Sequence, residues 1–245
     1  MRLVRNKEVE LYDKYYSDEK HFYNYPNETI VRLCKYFFGI TPFSIGSGRC
    51  LDYGCGSGMD MVHLIRCGLS VDGVEITGKA IGRCESNLKT ECGFYNSEHQ
   101  LFLLKPDDDK LPMDDGVYDF VVCSRVLYYL GSLNRICNLL SELKRVCKPG
   151  TKLIFTVASK HHDMCIFGVS KGYDIYEWNG VDVYVFQSET HVRQVFSRFF
   201  RVVDVGVMNV EYCGVNDHHY VVLCENKEIQ DIDVPLVRYN TWVDK

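Results

Sequence analysis

Cys50-Leu51-Asp52-Tyr53-Gly54-Cys55-Gly56-Ser57-Gly58-Met59-Asp60 is the stretch whose reading decides the fold. It reads as a short buried strand, a glycine turn and the start of a helix. Glycines at every second position let the backbone pass close to a ligand, because no Cβ stands in the way. The first turn of the following helix offers unpaired N–H groups. A strand, such a turn and a helix together hold nucleotides in α/β proteins. The dinucleotide fingerprint has two residues between its second and third glycines, whereas this stretch has only Ser57 there. Asp52 stands directly before the turn, where a carboxylate repels a diphosphate and suits an ammonium group. The pattern points to a nucleoside joined to an amino acid.

The neighbouring sequence alternates helical and extended patterns. A helix runs from the turn to about Arg66 and stops at Gly68. Ser70 to Glu75 reads as the second strand, and Glu75 lies 17 residues beyond Gly58. A carboxylate at that strand tip accepts hydrogen bonds from ribose hydroxyls. Thr77 caps a helix reaching about Cys92. Gln100–Lys105, Asp119–Ser124 and Thr151–Val157 read as further strands. An amphipathic helix carrying Ile136, Leu139, Leu140, Leu143 and Val146 ends before Pro149-Gly150. Ser188 caps a helix to Phe199, and two strands meet at a turn around Gly214. Such alternation implies a mostly parallel sheet covered on both faces.

Asp52-Tyr53-Gly54-Cys55-Gly56-Ser57-Gly58 resembles the first motif of the class I S-adenosylmethionine (SAM)-dependent methyltransferases. Leu143-Lys144-Arg145-Val146-Cys147-Lys148-Pro149-Gly150-Thr151-Lys152-Leu153 resembles that family's entry to its fifth strand. The resemblance covers roughly residues 45–225. It implies the fold class α/β, a Rossmann-like three-layer α/β/α sandwich. Its sheet would be mostly parallel and seven-stranded, with an antiparallel C-terminal strand. SAM is the implied cofactor, with S-adenosylhomocysteine (SAH) as its product. Asp52, Tyr53, Gly54, Cys55, Gly56 and Gly58 would surround the methionine part, with Glu75 and Ile76 at the ribose. Asp107 or Asp108, ahead of Leu111-Pro112-Met113, would meet the adenine, and Ser124 ends the fourth strand facing the site.

Relatives often carry one or two histidines where Tyr128 and Tyr129 stand here. Phenols are mostly protonated at neutral pH, so the candidate bases become His161 and His162, with Tyr128 as an orienting group. The Asn/Asp-Pro-Pro-Tyr/Phe motif of amino-group methyltransferases is replaced by Ser124-Arg125-Val126-Leu127. The sequence assembles no convincing metal cluster, so no metal is expected.

Residues 1–45 read as an N-terminal helical cap within a single domain spanning 1–245. Helical patterning covers residues 6–17. A second helix has Pro26 in its first turn, Ile30, Val31, Cys34, Phe37 and Phe38 at helical spacing, and Gly39 as its stop. Residues 158–187 break the alternation and read as an irregular acceptor lid, since long connections in compact domains are usually functional.

Twenty-eight basic and 33 acidic residues give a net charge of −5, which argues against a nucleic-acid partner. No apolar run spans a bilayer, and the first residues lack a secretory apolar core. The 12 cysteines fall in no C-x-x-C pair and read as buried thiols of a reducing, cytoplasmic compartment. The expected activity is methyl transfer to an O or N of a small-molecule acceptor, such as a sugar or glycan precursor. The alternatives are a SAM- or SAH-binding protein without turnover, and methylation of RNA or protein.

Overall fold

The computed structural model describes residues 6–18, 25–42, 47–93, 99–105, 108, 110–212 and 214–227. Asp107 and most of the polar tail beyond Glu225 lie outside them. A seven-stranded sheet has the order β3-β2-β1-β4-β5-β10-β9. Its strands are β1 (Arg49–Tyr53), β2 (Ser70–Glu75), β3 (Leu101–Leu103), β4 (Tyr118–Cys123), β5 (Cys147–Ala158), β9 (Arg201–Tyr212) and β10 (Val215–Glu225). β1 pairs in parallel with β2 and β4, and β4 with β5. β10 runs antiparallel to both β5 and β9. The chain leaves β1 for β2 and β3 on one side, then returns to its other side at β4. That reversal opens a crevice beyond the carboxyl ends of β1 and β4, the place where open α/β sheets bind ligands.

Side chains alternate along each strand, so the sheet feeds two cores. Leu51, Val121, Cys123, Phe155 and Val157 pack with Ile136, Leu140 and Phe196 of α5 (Leu133–Val146) and α7 (Glu189–Phe196). Cys50, Val71, Val122 and Ile154 pack the opposite way, against α2 (Glu28–Leu33), α3 (Met59–Arg66) and α4 (Gly78–Cys92). This is a three-layer α/β/α sandwich. Thr77, Ser132 and Ser188 cap α4, α5 and α7 through their side-chain oxygens.

Four local readings are corrected. Pro26 stands outside its helix, because the Asn27 side chain accepts the Thr29 N–H and takes the N-cap. The helix then widens into a π-turn at Cys34–Phe38 and stops at Gly39. β5 begins at Cys147, directly after α5, and carries Pro149-Gly150 within it. A register shift opposite Tyr118/Phe120 and Gly150 at φ 85° absorb the irregularity.

Residues 158–187 are not irregular. After α6 (Asp163–Ile166) they form an antiparallel meander of β6 (Val169–Gly172), β7 (Ile175–Trp178) and β8 (Val181–Tyr184). Its tight turns place Tyr173-Asp174 and Asn179-Gly180 at positive φ. Asn-Gly is the strongest short-range hairpin signal, so this element was legible. Val181, Val183 and Val185 pack it onto Tyr128, Ala158 and Met164. On the other flank, α1 (Asn6–Tyr15) is fastened by a buried ion pair, Arg135 Nη1 donating to Glu8 Oε1 at 2.8 Å.

Candidate active site

A cleft of about 890 Å³ opens at the crevice between β1 and β4. One half is built by the glycine turn. Gly54 and Cys55 donate their N–H groups to Val74 O at 2.8 and 3.1 Å, tying the turn to the end of β2. Gly54 has φ 76°, and a Cβ there would collide with Val126. Gly56 has φ 54°, and a Cβ there would strike the Tyr16 hydroxyl. The turn therefore has no room for side chains on either side, which is why glycine recurs. Gly58 supplies the left-handed residue from which α3 starts.

Glu75 is buried at the tip of β2 and lines the cleft. Its Oε1 accepts the Ile76 N–H at 2.6 Å and its Oε2 the Gly56 N–H at 3.0 Å. Burial holds its pKa above the usual carboxylate range, against the opposing pull of the Ile76, Gly56 and Thr77 N–H groups. A carboxylate has about four acceptor positions, so capacity remains for ligand hydroxyls. Tyr53, Cys55 and Ile76 also line the cleft.

Asp52 lies beneath the turn with Oδ2 buried and unpartnered, and does not itself reach the cleft wall. Burial, then Asp60 and Glu75, push its pKa well up. Asp60 does line the cleft and accepts the Asn27 N–H at 2.7 Å. Burial pushes its carboxyl up to about 6, against the opposing pull of the Asn27 N–H and Arg125. Asp52, Asp60 and Glu75 thus bring three acids to this end, each with its pKa raised by burial. An ammonium or sulfonium would favour their charged forms, which is the donor chemistry that fits SAM.

Asp108 closes its own turn, with Oδ2 accepting the Lys105 N–H at 2.6 Å, and is absent from the cleft wall. Ser124 lines the cleft with its Oγ 3.5 Å from Asn27 Nδ2 and from Thr156 Oγ1.

The other half of the cleft is enclosed by the aromatic side chains of Tyr12, Tyr15, Tyr129 and Trp178, with Met164, Met208 and Val210. Of the supposed bases, His161 is exposed and outside the cleft wall. His162 lines it, but both ring nitrogens are committed. Nδ1 accepts the Met164 N–H at 3.1 Å, so Nε2 carries the proton and donates to Asp217 Oδ1 at 3.1 Å. Tyr128 is buried, and burial holds its phenol protonated. Neither histidine presents a free basic lone pair to the cleft, because hydrogen-bond direction is set by the packed chain and not by residue type.

Sequence reading missed Arg125, Asn216 and Asp217. Arg125 follows β4 at φ 60°, a strained conformation for a non-glycine residue. Its N–H donates to Thr156 Oγ1 at 2.7 Å, and Nη2 donates to Asp217 Oδ2 at 2.5 Å. Burial works to raise the Asp217 pKa, but His162, His219 and Arg125 together hold it below the usual carboxylate range.

Among the described residues, His162, Asp217 and His219 bring ligand-type atoms within 4.8 Å of one another. The donor set suits a hydrogen-bonded dyad better than a metal. A ligating imidazole donates its second N–H outward, whereas His162 Nδ1 faces a backbone donor. Burial pushes His219 down to about 3, so it stays neutral.

The sandwich, the switch-point crevice and an acid-flanked glycine cradle together define a methyltransferase of the class I SAM-dependent kind. The chain belongs to the methyltransferase-domain family, whose model matches residues 21–200. It is 29% identical to the sterol 4-C-methyltransferase of Caenorhabditis elegans over 47% of this chain and 32% of that one. It is 28% identical to an uncharacterized methyltransferase of Synechocystis over 46% of this chain and 47% of that one. The chain thus spans less than half the length of either relative.

Among solved structures, it resembles the N-methyltransferase NodS of Bradyrhizobium japonicum in complex with SAH. The TM-score is 0.64 at 16% identity, over 90% of this chain and 98% of that one. It also resembles the 1,6-didemethyltoxoflavin-N1-methyltransferase of Burkholderia thailandensis, which holds its substrate and SAH. There the TM-score is 0.63 at 12% identity, over 91% and 85% of the two chains. Among the described residues, no helix is long and apolar enough to cross a membrane.

Proposed function

We propose that the protein transfers a methyl group from SAM to an O or N of a small-molecule acceptor bound in the aromatic half of the cleft. The observation that carries this reading is the division of one cleft into two chemically distinct halves. One is acidic and glycine-walled; the other is aromatic and polar. Bound SAM supplies an electrophilic sulfonium methyl.

The chain's own residues hold, orient and exclude water. Asp52 and Asp60 attract the ammonium end, and Glu75 accepts from the ribose hydroxyls. Asp107 or Asp108 is our candidate for the adenine. Tyr12 and Tyr15 of the N-terminal cap and Trp178 of the meander within 158–187 wall the acceptor half. Holding two reactants in line is a large catalytic contribution by itself, on the order of 7–11 kcal/mol for well-oriented pairs. The aromatic walls suit the face of a sugar ring or a flat heterocycle, and a sugar or glycan precursor is retained as the finer proposal.

One observation favours a second reading. His162 is fully engaged and Tyr128 is buried, which is what a cofactor-binding protein without turnover would tolerate. The deciding experiment is transfer of labelled methyl from SAM into a fractionated extract of the source cells. Label in the small-molecule pool is the expected result. Label in RNA or protein overturns the acceptor class, and SAH binding with no label in any fraction favours the second reading.

A further inference from the structure

The titratable groups around Asp217 are poorly suited to take a proton from an alcohol. His162 has both ring nitrogens engaged, and burial keeps the Tyr128 phenol protonated. Burial works to raise the Asp217 pKa, but His162, His219 and Arg125 hold it low, so the carboxylate stays ionised and is a weak base. A hydroxyl must shed its proton as it attacks. An amine brings its own lone pair.

Asp217 can instead receive a cation. It lines the cleft with its side chain 21% exposed. Oδ1 accepts from His162 Nε2 at 3.1 Å and Oδ2 from Arg125 Nη2 at 2.5 Å. A carboxylate has about four acceptor positions, so a ligand N–H can still be received. Asp163 adds a second carboxylate to the wall, accepting the backbone N–H of Asn216, the residue before Asp217, at 3.0 Å. Among the described residues, Arg125 is the one Lys or Arg lining the cleft, and its charge is matched by Asp217.

Aromatic rings stand beside these acids. The Tyr128 ring is 6.2 Å from that of His162 and 4.5 Å from that of Tyr129, which meets Tyr12 edge-on at 5.3 Å. Tyr129 and Trp178 pack on one cluster with Tyr128 and Met164, and both line the cleft half-buried. Aromatic faces attract ammonium groups.

Resting on the reading of this cleft as a methyl-acceptor site, we infer that the acceptor nucleophile is an amine nitrogen, received at the Asp217 carboxylate and the wall of Tyr129 and Trp178. Its lone pair attacks the SAM methyl carbon as the C–S bond breaks. The electron pair of that bond stays on sulfur, giving neutral SAH, and the nitrogen takes the positive charge. Any proton the amine carries in solution is released to water before attack. Asp217, Asp163 and the rings favour the cation that forms over the neutral amine, which is complementarity to the transition state.

The test is calorimetric titration of the full chain saturated with SAH, using benzylamine, benzyl alcohol and benzoate. Benzylamine, protonated at neutral pH, stands in for the cation that forms. It is expected to bind at least about tenfold more tightly than either of the others, the scale of a charge-assisted hydrogen bond with a cation–π contact. Asp217→Asn is expected to remove about tenfold of that preference while SAH affinity is retained. Trp178→Leu is expected to weaken benzylamine more than benzyl alcohol.

Equal or tighter binding of the alcohol or benzoate, failure of benzylamine to bind, or an amine preference that survives Asp217→Asn with SAH affinity retained overturns the inference. Should Asp217→Asn lose SAH binding, Trp178→Leu decides: a selective loss of benzylamine supports the inference, and an equal loss of amine and alcohol overturns it. Failure of SAH to bind the unaltered protein overturns the underlying cofactor reading instead, so the two failures are distinguishable.

Discussion

At the residue scale, the acids of the cofactor half set a pH dependence. Asp60 has its carboxyl pushed up to about 6, with Asp52 and Arg125 facing it and the Asn27 N–H on Oδ1. Because its folded pKa is raised, its contribution to apo stability is fully present at about pH 4 and lost as pH rises through about 6. The ammonium end of the ligand prefers the charged form. SAH affinity should therefore tighten as pH rises from 5 to 7, and Asp60→Asn should flatten that profile in titration calorimetry.

Asp52→Ala removes a buried carboxylate whose Oδ2 has no partner. It is expected to weaken SAH binding by at least about tenfold, because a buried carboxylate behind the turn no longer attracts the ammonium end. Apo thermal stability should hold or rise, since an uncompensated buried acid is removed. A variant that keeps wild-type SAH affinity would remove Asp52 from the site.

At the scale of elements, α1 is held by the Glu8–Arg135 pair, whose side chains are 5% and 7% exposed. Breaking such a pair from one side leaves a buried charge, at about 3–5 kcal/mol. Glu8→Gln, which leaves Arg135 charged, should lower the melting temperature by about 6–20 °C, taking 2–4 °C per kcal/mol for a chain of this size. The double change Glu8→Met with Arg135→Leu should recover most of it. Equal melting temperatures for the single and double variants would show that the pair is not what fastens the helix.

In the meander, Trp178 lines the cleft from the end of β7. Trp178→Ala should reduce kcat/KM for the acceptor by about tenfold, the worth of an aromatic contact plus its buried area. SAH affinity should be spared. A loss of SAH binding instead would move this element to the cofactor half.

At the scale of the whole molecule, SAH bound as proposed would bridge elements from across the fold: the turn after β1, the tip of β2 and the end of β4, all of which line the cleft. A ligand at 100 times its Kd stabilises the folded state by about 2.7 kcal/mol. SAH at that excess should raise the melting temperature by about 5–11 °C, and no shift would contradict the cofactor assignment.

The alternation of strands and helices was legible because each element carries its own local signal. Thr77, Ser132 and Ser188 are good caps, β2 ends where its apolar run ends, and the glycine turn admits no other residue type. The meander carries a local signal as well, in Asn179-Gly180, but each of its strands is only 4 residues long, too short for a clear periodic pattern.

By itself, the sequence determined the three-layer sandwich, the switch-point turn, and Glu75 at the tip of β2. These follow from periodicity, capping and steric need within a few residues of one another. Only the tertiary structure decided what the acceptor half contains. Asn216 and Asp217 lie about ninety residues from Arg125 in the chain and meet it because β10 inserts antiparallel beside β5. The fate of His162 was likewise decided in three dimensions, since the direction of its two hydrogen bonds depends on a backbone N–H and a carboxylate from separate elements. Hydrogen-bond direction and burial are properties of the packed chain, and no spacing along the sequence encodes them.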